Sequence, residues 1–130
     1  MAKNIEAQTI PELETNIIAC KIELENLNKQ KNILSKRIYN LKYDKTKISD
    51  NKKIRIQTIN ENIAKAKTKL NKDSYRRTKA RESKSFDDQK ANIDRSINNL
   101  KNEISTLNTR ISNIKTYVLK CKFQIKLLKN

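Results

Sequence analysis

The chain has 130 residues, with no Gly, no His, one Pro and two Cys, and it carries 30 Lys and Arg against 14 Asp and Glu, a net charge of +16. Only 35% of the residues are hydrophobic and 5% aromatic, which excludes a thick globular core and favours long helices with few connections. Glycine-rich phosphate loops are excluded as well, and the charge favours acidic partners such as nucleic acid.

The first predicted element is a long helix over about residues 9–70. Thr9 and Glu12 have the spacing of a capping box around Pro11, which marks a helix start. From there, mostly apolar positions that we expect to pack against a facing helix recur at alternating intervals of four and three residues, and we call them the seam or stripe. They are Leu13, Ile17, Cys20, Leu24, Leu27, Lys31, Leu34, Ile38, Leu41, Lys45, Ile48 and Lys52. After a four-residue shift the stripe continues through Ile56, Ile59, Ile63, Ala66 and Leu70. This repeat predicts one arm of a coiled coil with a stutter.

The second predicted element is another helix, over about residues 85–129. Ser85, Asp87 and Asp88 indicate its N-terminus. Its stripe keeps the heptad spacing without a break through Phe86, Lys90, Ile93, Ile97, Leu100, Ile104, Leu107, Ile111, Ile114, Val118, Cys121, Ile125 and Leu128. Between the two arms, residues 71–84 are predicted to be a basic connecting tip.

Two stripes of similar length predict an all-α fold, an elongated antiparallel helical hairpin that forms a single coiled-coil domain over residues 1–130. In one register the facing residue numbers add to 145 and the chain folds back near residues 72–73. This register pairs Ile17 with Leu128, Leu24 with Cys121, Ile38 with Leu107, Leu41 with Ile104, and Ile48 with Ile97. Registers seven residues away, a parallel dimer, and three helices with a break near residues 49–53 stay open as alternatives.

The residue types favour a protein that is not an enzyme and that holds no cofactor or metal. Without His, the commonest general base is missing. Cys20 and Cys121 are too few and too far apart for a zinc site, and both occupy seam positions, so we interpret them as small buried hydrophobic residues. The adjacent Asp87 and Asp88 are interpreted as charges at a helix N-terminus rather than as an acid–base pair.

Positive charge is concentrated over residues 65–84, which hold nine cations and two acidic residues. In a helix, Arg77, Arg81 and Lys84 would share one face, a spacing that suits a phosphate backbone. Base stacking is not expected, since Tyr75 is the only aromatic residue among them. The candidate residues for binding nucleic acid or another polyanion are Arg76, Arg77, Lys79, Arg81, Lys84, Lys65, Lys69 and Lys72.

Part of this basic stretch, "NKDSYRRTKAR" from Asn71 to Arg81, resembles the basic region of basic leucine-zipper transcription factors. That family has an Asn, then seven residues, then an Arg, and Asn71 and Lys79 occupy those positions. Tyr75 stands where the family has a small residue, and Gln89 stands where its first zipper leucine is expected. Because of these departures we interpret the match as coincidental.

The plan of the chain is also similar to that of small, basic, two-helix stalk proteins of flagellar and type III secretion ATPase complexes. That resemblance rests on length, charge and architecture. It implies an alternative function, a stalk or adaptor that binds a protein partner and has no role with nucleic acid. The function we predict first is a non-enzymatic coiled-coil assembly protein whose basic tip docks on nucleic acid or another polyanion, with homo-oligomerisation left open.

The chain has no stretch near its N-terminus that resembles a signal peptide and no apolar run of the ~20 residues that span a membrane, so we expect an intracellular protein. The C-terminal stretch "YVLKCKFQIKLLKN" approaches the pattern of a membrane-surface helix. Four of its residues continue the heptad, so the sequence favours packing in the seam for this stretch.

Overall fold

The computed structural model describes residues 4–130, and within them the chain forms two long helices and no strand. Helix α1 covers Ile10–Lys65, helix α2 covers Lys69–Lys129, and a short 3-10 helix, Ile5–Ala7, precedes α1. The two long helices pack against each other as an antiparallel hairpin, which confirms the predicted all-α fold class. Met1, Ala2 and Lys3, the first residues of the predicted domain, lie outside the described residues.

The start of α1 follows the predicted capping box. The Glu12 N–H donates to the Thr9 hydroxyl oxygen at 3.4 Å, and the Thr9 N–H donates to the Glu12 carboxylate at 3.3 Å. Pro11 lies in the first turn, where its missing N–H leaves no hydrogen bond unmade.

The connection between the helices is short and lies at residues 66–68, so the predicted connecting tip over residues 71–84 is wrong. That stretch belongs to α2, and the predicted helix start at Ser85 falls inside the helix. The Thr68 hydroxyl accepts a hydrogen bond from the Asn71 N–H at 3.2 Å and caps α2 at its true N-terminus. Helix α1 is continuous through residues 49–53, so the three-helix alternative is wrong as well.

The chain divides into two compact units, each containing part of both helices. The terminal unit consists of the described part of residues 1–35 together with residues 101–130, and the turn unit consists of residues 36–100. Every buried apolar side chain within residues 4–130 occupies a predicted stripe position: Leu13, Ile17, Leu27, Leu34, Ile38, Ile59, Ile97, Leu107, Ile111, Val118 and Cys121.

In the terminal unit the core is apolar and shows that the predicted register is wrong. Leu13 and Ile17 of α1 form one buried cluster with Val118 and Cys121 of α2, against which Cys20 also packs. Cys121 therefore packs with Leu13 and Ile17 instead of forming a layer with Leu24. The three-residue connection accounts for this shift, because a turn at residues 66–68 moves α2 along α1 relative to a fold-back near residues 72–73.

A small polar cluster fixes the chain before α1 to this unit. Gln8 is buried, and its side-chain oxygen accepts a hydrogen bond from the Asn16 amide. The same amide donates to the Tyr117 hydroxyl at 3.4 Å. Ile5 packs against the apolar cluster beside them, so the segment before α1 contacts both helices of the unit.

In the turn unit the seam is more polar. Ile38, Ile59 and Ile97 are buried, and between them ion pairs join the helices. The pairs are Lys45 with Asp94 at 2.7 Å, Lys52 with Asp87 at 2.7 Å, and Arg55 with Glu82 at 2.9 Å. In each pair the cation lies on α1 and the carboxylate on α2, an arrangement that favours one register of the two helices.

Within residues 4–130, no helix contains a stretch long and apolar enough to cross a membrane.

Candidate polyanion-binding surface

The eight predicted binding residues lie in the turn unit, in three different environments. Three of them form a row on the exposed side of α2, three lie on or beside the packed side of α2, and two lie beside the connection at residues 66–68. One helical turn is 3.6 residues, so side chains four and seven positions apart share a face and side chains two apart do not. The predicted set is therefore not one continuous surface.

The first group consists of Arg77, Arg81 and Lys84, which we call the α2 cation row. All three side chains are exposed. Among residues 4–130 none of them forms an ion pair or a hydrogen bond. The row extends ~10 Å along the helix axis, since each residue adds ~1.5 Å. Asp88, one turn beyond Lys84, is also exposed and marks the end of the row.

The second group, Arg76, Lys79 and Lys72, is less available to a partner. Arg76 is exposed but forms an ion pair with Asp73 of the preceding turn, at 3.1 Å. Lys79 and Lys72 are half-buried, which is expected for side chains at the edge of the seam. Half-buried lysines commonly cover apolar surface with their aliphatic carbons and keep the ammonium group in water. These three residues add positive potential near the row without extending it.

The third group, Lys65 and Lys69, flanks the connection, where Lys67 is exposed as well. A shallow depression of about 300 Å³ lies here, and its lining consists of Asn62, Lys65, Ala66, Lys67, Asn71 and Tyr75. Side-chain amides and ammonium groups supply hydrogen-bond donors and positive charge.

The ion pairs of the turn unit change the interpretation of several charges. Asp87 is not near a helix terminus. It accepts a hydrogen bond from the Lys52 ammonium, and this bond holds the pKa of the Asp87 carboxyl below its usual range. Glu82 accepts two hydrogen bonds from the Arg55 guanidinium, at 2.9 and 3.1 Å. Three acidic residues of α2 in this unit, Asp94, Asp87 and Glu82, are thus held by cations of α1, and Asp73 pairs with Arg76. None of these four pairs with the α2 cation row.

The two cysteines lie in the terminal unit, where Cys20 packs against the cluster that contains Cys121. Both thiols are free, and burial raises the pKa of Cys20, which disfavours its thiolate form. Burial also raises the pKa of the neighbouring Tyr117. In the described part of the chain, no group of three or more acidic, Cys or His side chains is arranged to hold a metal ion.

Comparisons of the chain with known protein families, with curated proteins and with solved structures give no match.

Several residues of this region were missed by the sequence interpretation. Asp94, Asp87 and Glu82 gain their importance from partners 27 to 49 residues away in the chain. The seam lysines Lys45 and Lys52 were a usable signal, because a partly buried cation is stabilised by an acidic partner on the facing helix. Thr68 gave no such signal. Other threonines of the chain, for example Thr58 and Thr78, lie within helices and donate to the carbonyl four residues earlier.

Proposed function

We propose that this protein is a non-enzymatic coiled-coil assembly protein whose turn unit binds the phosphate backbone of nucleic acid or a comparable polyanion. The observation that carries the proposal is the α2 cation row, three exposed cations on one helix face with no acidic partner among residues 4–130. Lys65, Lys67 and Lys69 add charge beside it. Two of the three row residues are Arg, which can bind a phosphate through two parallel hydrogen bonds.

The mode of binding follows from the row's chemistry and length. A row of ~10 Å can contact about three successive phosphates of one strand, which are ~3.4 Å apart along a duplex axis. The row contains no Asn or Gln side chain to hydrogen-bond a base edge and no aromatic side chain to stack on a base. Tyr75, which is half-exposed, lies outside the row. Binding is therefore expected to be independent of sequence, of moderate strength, and steeply dependent on salt.

The experiment that tests this proposal compares two triple variants of equal charge. R77Q/R81Q/K84Q removes the α2 cation row. K29Q/K36Q/R37Q removes three exposed cations of α1 outside the predicted surface. Affinity for an arbitrary DNA duplex and for RNA is measured against salt concentration by fluorescence anisotropy with nuclease-treated protein.

If the row contacts phosphate, its loss lowers the slope of log affinity against log salt by about 2–3 for duplex DNA, and the α1 variant keeps most of the wild-type slope. Equal losses in the two variants would mean that net charge alone attracts the polymer. Undiminished binding by R77Q/R81Q/K84Q would refute the proposal.

A second candidate function is that of a stalk or adaptor with a protein partner. It is favoured by exposed apolar side chains in the turn unit, Ile54 and Leu70, which polyanion binding does not use. Pull-down experiments with nuclease-treated wild type and with I54S/L70S, a variant that leaves the net charge unchanged, distinguish polyanion binding from binding of a protein partner. A partner that is retained by R77Q/R81Q/K84Q and lost by I54S/L70S would favour the adaptor.

A further inference from the structure

The C-terminal turns of α2, in the terminal unit, have two apolar sides. One side packs against α1, with Val118 and Cys121 buried, as the sequence predicted for a seam. The other side carries Leu119, Phe123 and Leu127, which follow each other at four-residue spacing and are 66%, 62% and 51% exposed. We call these three residues the apolar row. Since the seam is already filled by other side chains, packing within the hairpin does not explain this row.

Lysines border the apolar row on both sides. On a helical projection with 100° per residue, Lys120 lies on one side of the row, and Lys115, Lys122 and Lys126 lie on the other. All four are exposed, and none forms an ion pair among residues 4–130. No Asp or Glu occurs between residues 104 and 130 of the sequence. The exposed side of this part of α2 is therefore apolar along its centre and cationic along its edges.

An open groove runs beside the row. It has a volume of about 980 Å³, and residues 4–6 form one wall while α2 from Asn113 to Leu127 forms the other. Ile5, on the first wall, is half-buried and contacts the apolar cluster of the unit. The groove adds Ile5 to the apolar area next to Phe123, and the exposed Glu6 on the same wall is one acidic residue against the four lysines.

We propose that this face of α2 binds the surface of an anionic lipid bilayer, with Leu119, Phe123 and Leu127 at the boundary between headgroups and acyl chains. Phe and Leu along one line with Lys at the edges is the arrangement by which a helix lies in a membrane interface. The lysine stems extend along the apolar layer while their ammonium groups reach the phosphates. Each cation near an anionic surface adds attraction that salt weakens.

A second copy of the chain fits this face less well. The same face in another copy would place lysine rows against each other, which is repulsive. The exposed side of α1 in this unit also carries apolar residues, Ile18 and Ile22, but two acidic residues there, Glu14 and Glu25, are balanced by two exposed lysines, Lys21 and Lys29. That side has no net charge to complement the lysines of α2. An anionic bilayer offers an apolar layer for the apolar row and negative charge for the lysines that border it.

The test uses binding to lipid vesicles by the full chain and two matched double variants. L119S/F123S interrupts the apolar row without changing charge, and I18S/I22S makes a comparable change on the exposed side of α1. Binding is measured by co-sedimentation with vesicles of phosphatidylcholine alone and of phosphatidylcholine mixed with phosphatidylglycerol. Circular dichroism establishes that both variants keep the helicity of the wild type, which is expected because all four side chains are exposed.

The expected result is binding to the mixed vesicles that weakens with salt, with little binding to neutral vesicles. L119S/F123S should weaken it about tenfold or more, whereas I18S/I22S should bind as the wild type does. Vesicle binding by R77Q/R81Q/K84Q should still depend on the apolar row, although this variant lacks the α2 cation row. Vesicle binding therefore tests this inference separately from the proposed function. Absence of binding to mixed vesicles, or equal binding by L119S/F123S and wild type, would overturn it.

A second readout locates the contact. The chain contains no Trp, so F123W places a single tryptophan in the apolar row and I22W places one on the exposed side of α1. Mixed vesicles should shift the F123W emission to the blue and leave the I22W emission unchanged. Blue shifts in both without vesicles, rising with protein concentration, would instead identify an interface between copies of this chain and overturn the membrane proposal.

Discussion

Ile59 and Ile54 lie five residues apart on α1, yet the first side chain is 1% exposed and the second 65%. Five residues of an α-helix turn a side chain to the opposite side, so one isoleucine lies in the seam and the other faces solvent. Burial of the first removes a whole aliphatic side chain from water, whereas the second gains almost nothing from folding.

Ile59→Ala should accordingly lower the free energy of unfolding by about 2–5 kcal/mol, because it leaves a cavity in the seam. Ile54→Ala makes the same chemical change on the same helix and should cost about 0.5 kcal/mol or less. Urea unfolding followed by circular dichroism measures both. Similar costs for the two variants would show that Ile59 does not pack against α2.

Asp87 supports a prediction about pH. Its pKa is lowered in the folded protein by the hydrogen bond from Lys52, so the bond contributes stability at pH values above the usual Asp pKa of ~3.9. That contribution is lost as the pH falls through the lower pKa of the folded state. In Asp87→Asn this part of the acid-induced fall in melting temperature should be missing.

The neighbouring variant Asp88→Asn is the control, since Asp88 forms no ion pair among residues 4–130. Its melting temperature should follow the wild-type profile between about pH 6 and pH 2. If the Asp87→Asn profile also runs parallel to that of the wild type, the hydrogen bond from Lys52 to Asp87 does not contribute to stability.

At the scale of elements, the position of the connection determines what α2 presents to solvent. Since α2 begins at Lys69, residues 71–84 form its first turns, and their cations are held on defined sides of a helix. Had this stretch been a loop, no fixed spacing would relate Arg77, Arg81 and Lys84. The α2 cation row thus depends on where the helix starts.

Two proline substitutions of equal charge test that boundary. Lys69→Pro falls at the first position of α2, after the capping Thr68, where proline costs little. Lys84→Pro falls in the interior and removes a backbone hydrogen bond, so it should lower the free energy of unfolding by about 3 kcal/mol or more. Thermal and urea unfolding measure the difference. Equal tolerance of proline at both positions would contradict a helix over residues 71–84.

At the scale of the whole molecule, the net charge of +16 opposes folding. Compact chains with a large charge excess are destabilised by self-repulsion. The ion pairs between the helices, including Arg110 with Glu23 at 2.9 Å in the terminal unit, act in the opposite sense. Their side chains are partly exposed, so each pair contributes little to stability.

Repulsion among the cations should outweigh these pairs, and salt screens both. Raising NaCl from about 0.01 M to about 0.5 M, which shortens the screening length severalfold, should therefore raise the melting temperature. R77Q/R81Q/K84Q, with three fewer positive charges, should show a smaller rise. A fall in the melting temperature of the wild type with salt would mean that the ion pairs dominate.

The sequence alone was sufficient for the helical class, the start of α1 and the set of positions from which the core is drawn, although the stripe positions Leu70 and Leu128 are exposed. These features depend on local hydrogen bonds and on the period of the apolar residues. Thr9 and Glu12 lie within one turn of each other, and all buried apolar residues in the described chain occupy predicted stripe positions. Helix period and capping depend on residues within a few positions of each other, so they can be predicted from the sequence of one chain.

The connection, the register and the exposed faces were decided only by the tertiary structure. Heptad stripes can be paired in registers seven residues apart with similar burial, and so the stripes could not locate a turn at residues 66–68. Contacts between distant residues, such as Lys52 with Asp87 and Ile17 with Cys121, select one register. The same contacts determine which cations and apolar side chains remain for a partner, because a side chain is available only when the facing helix does not cover it.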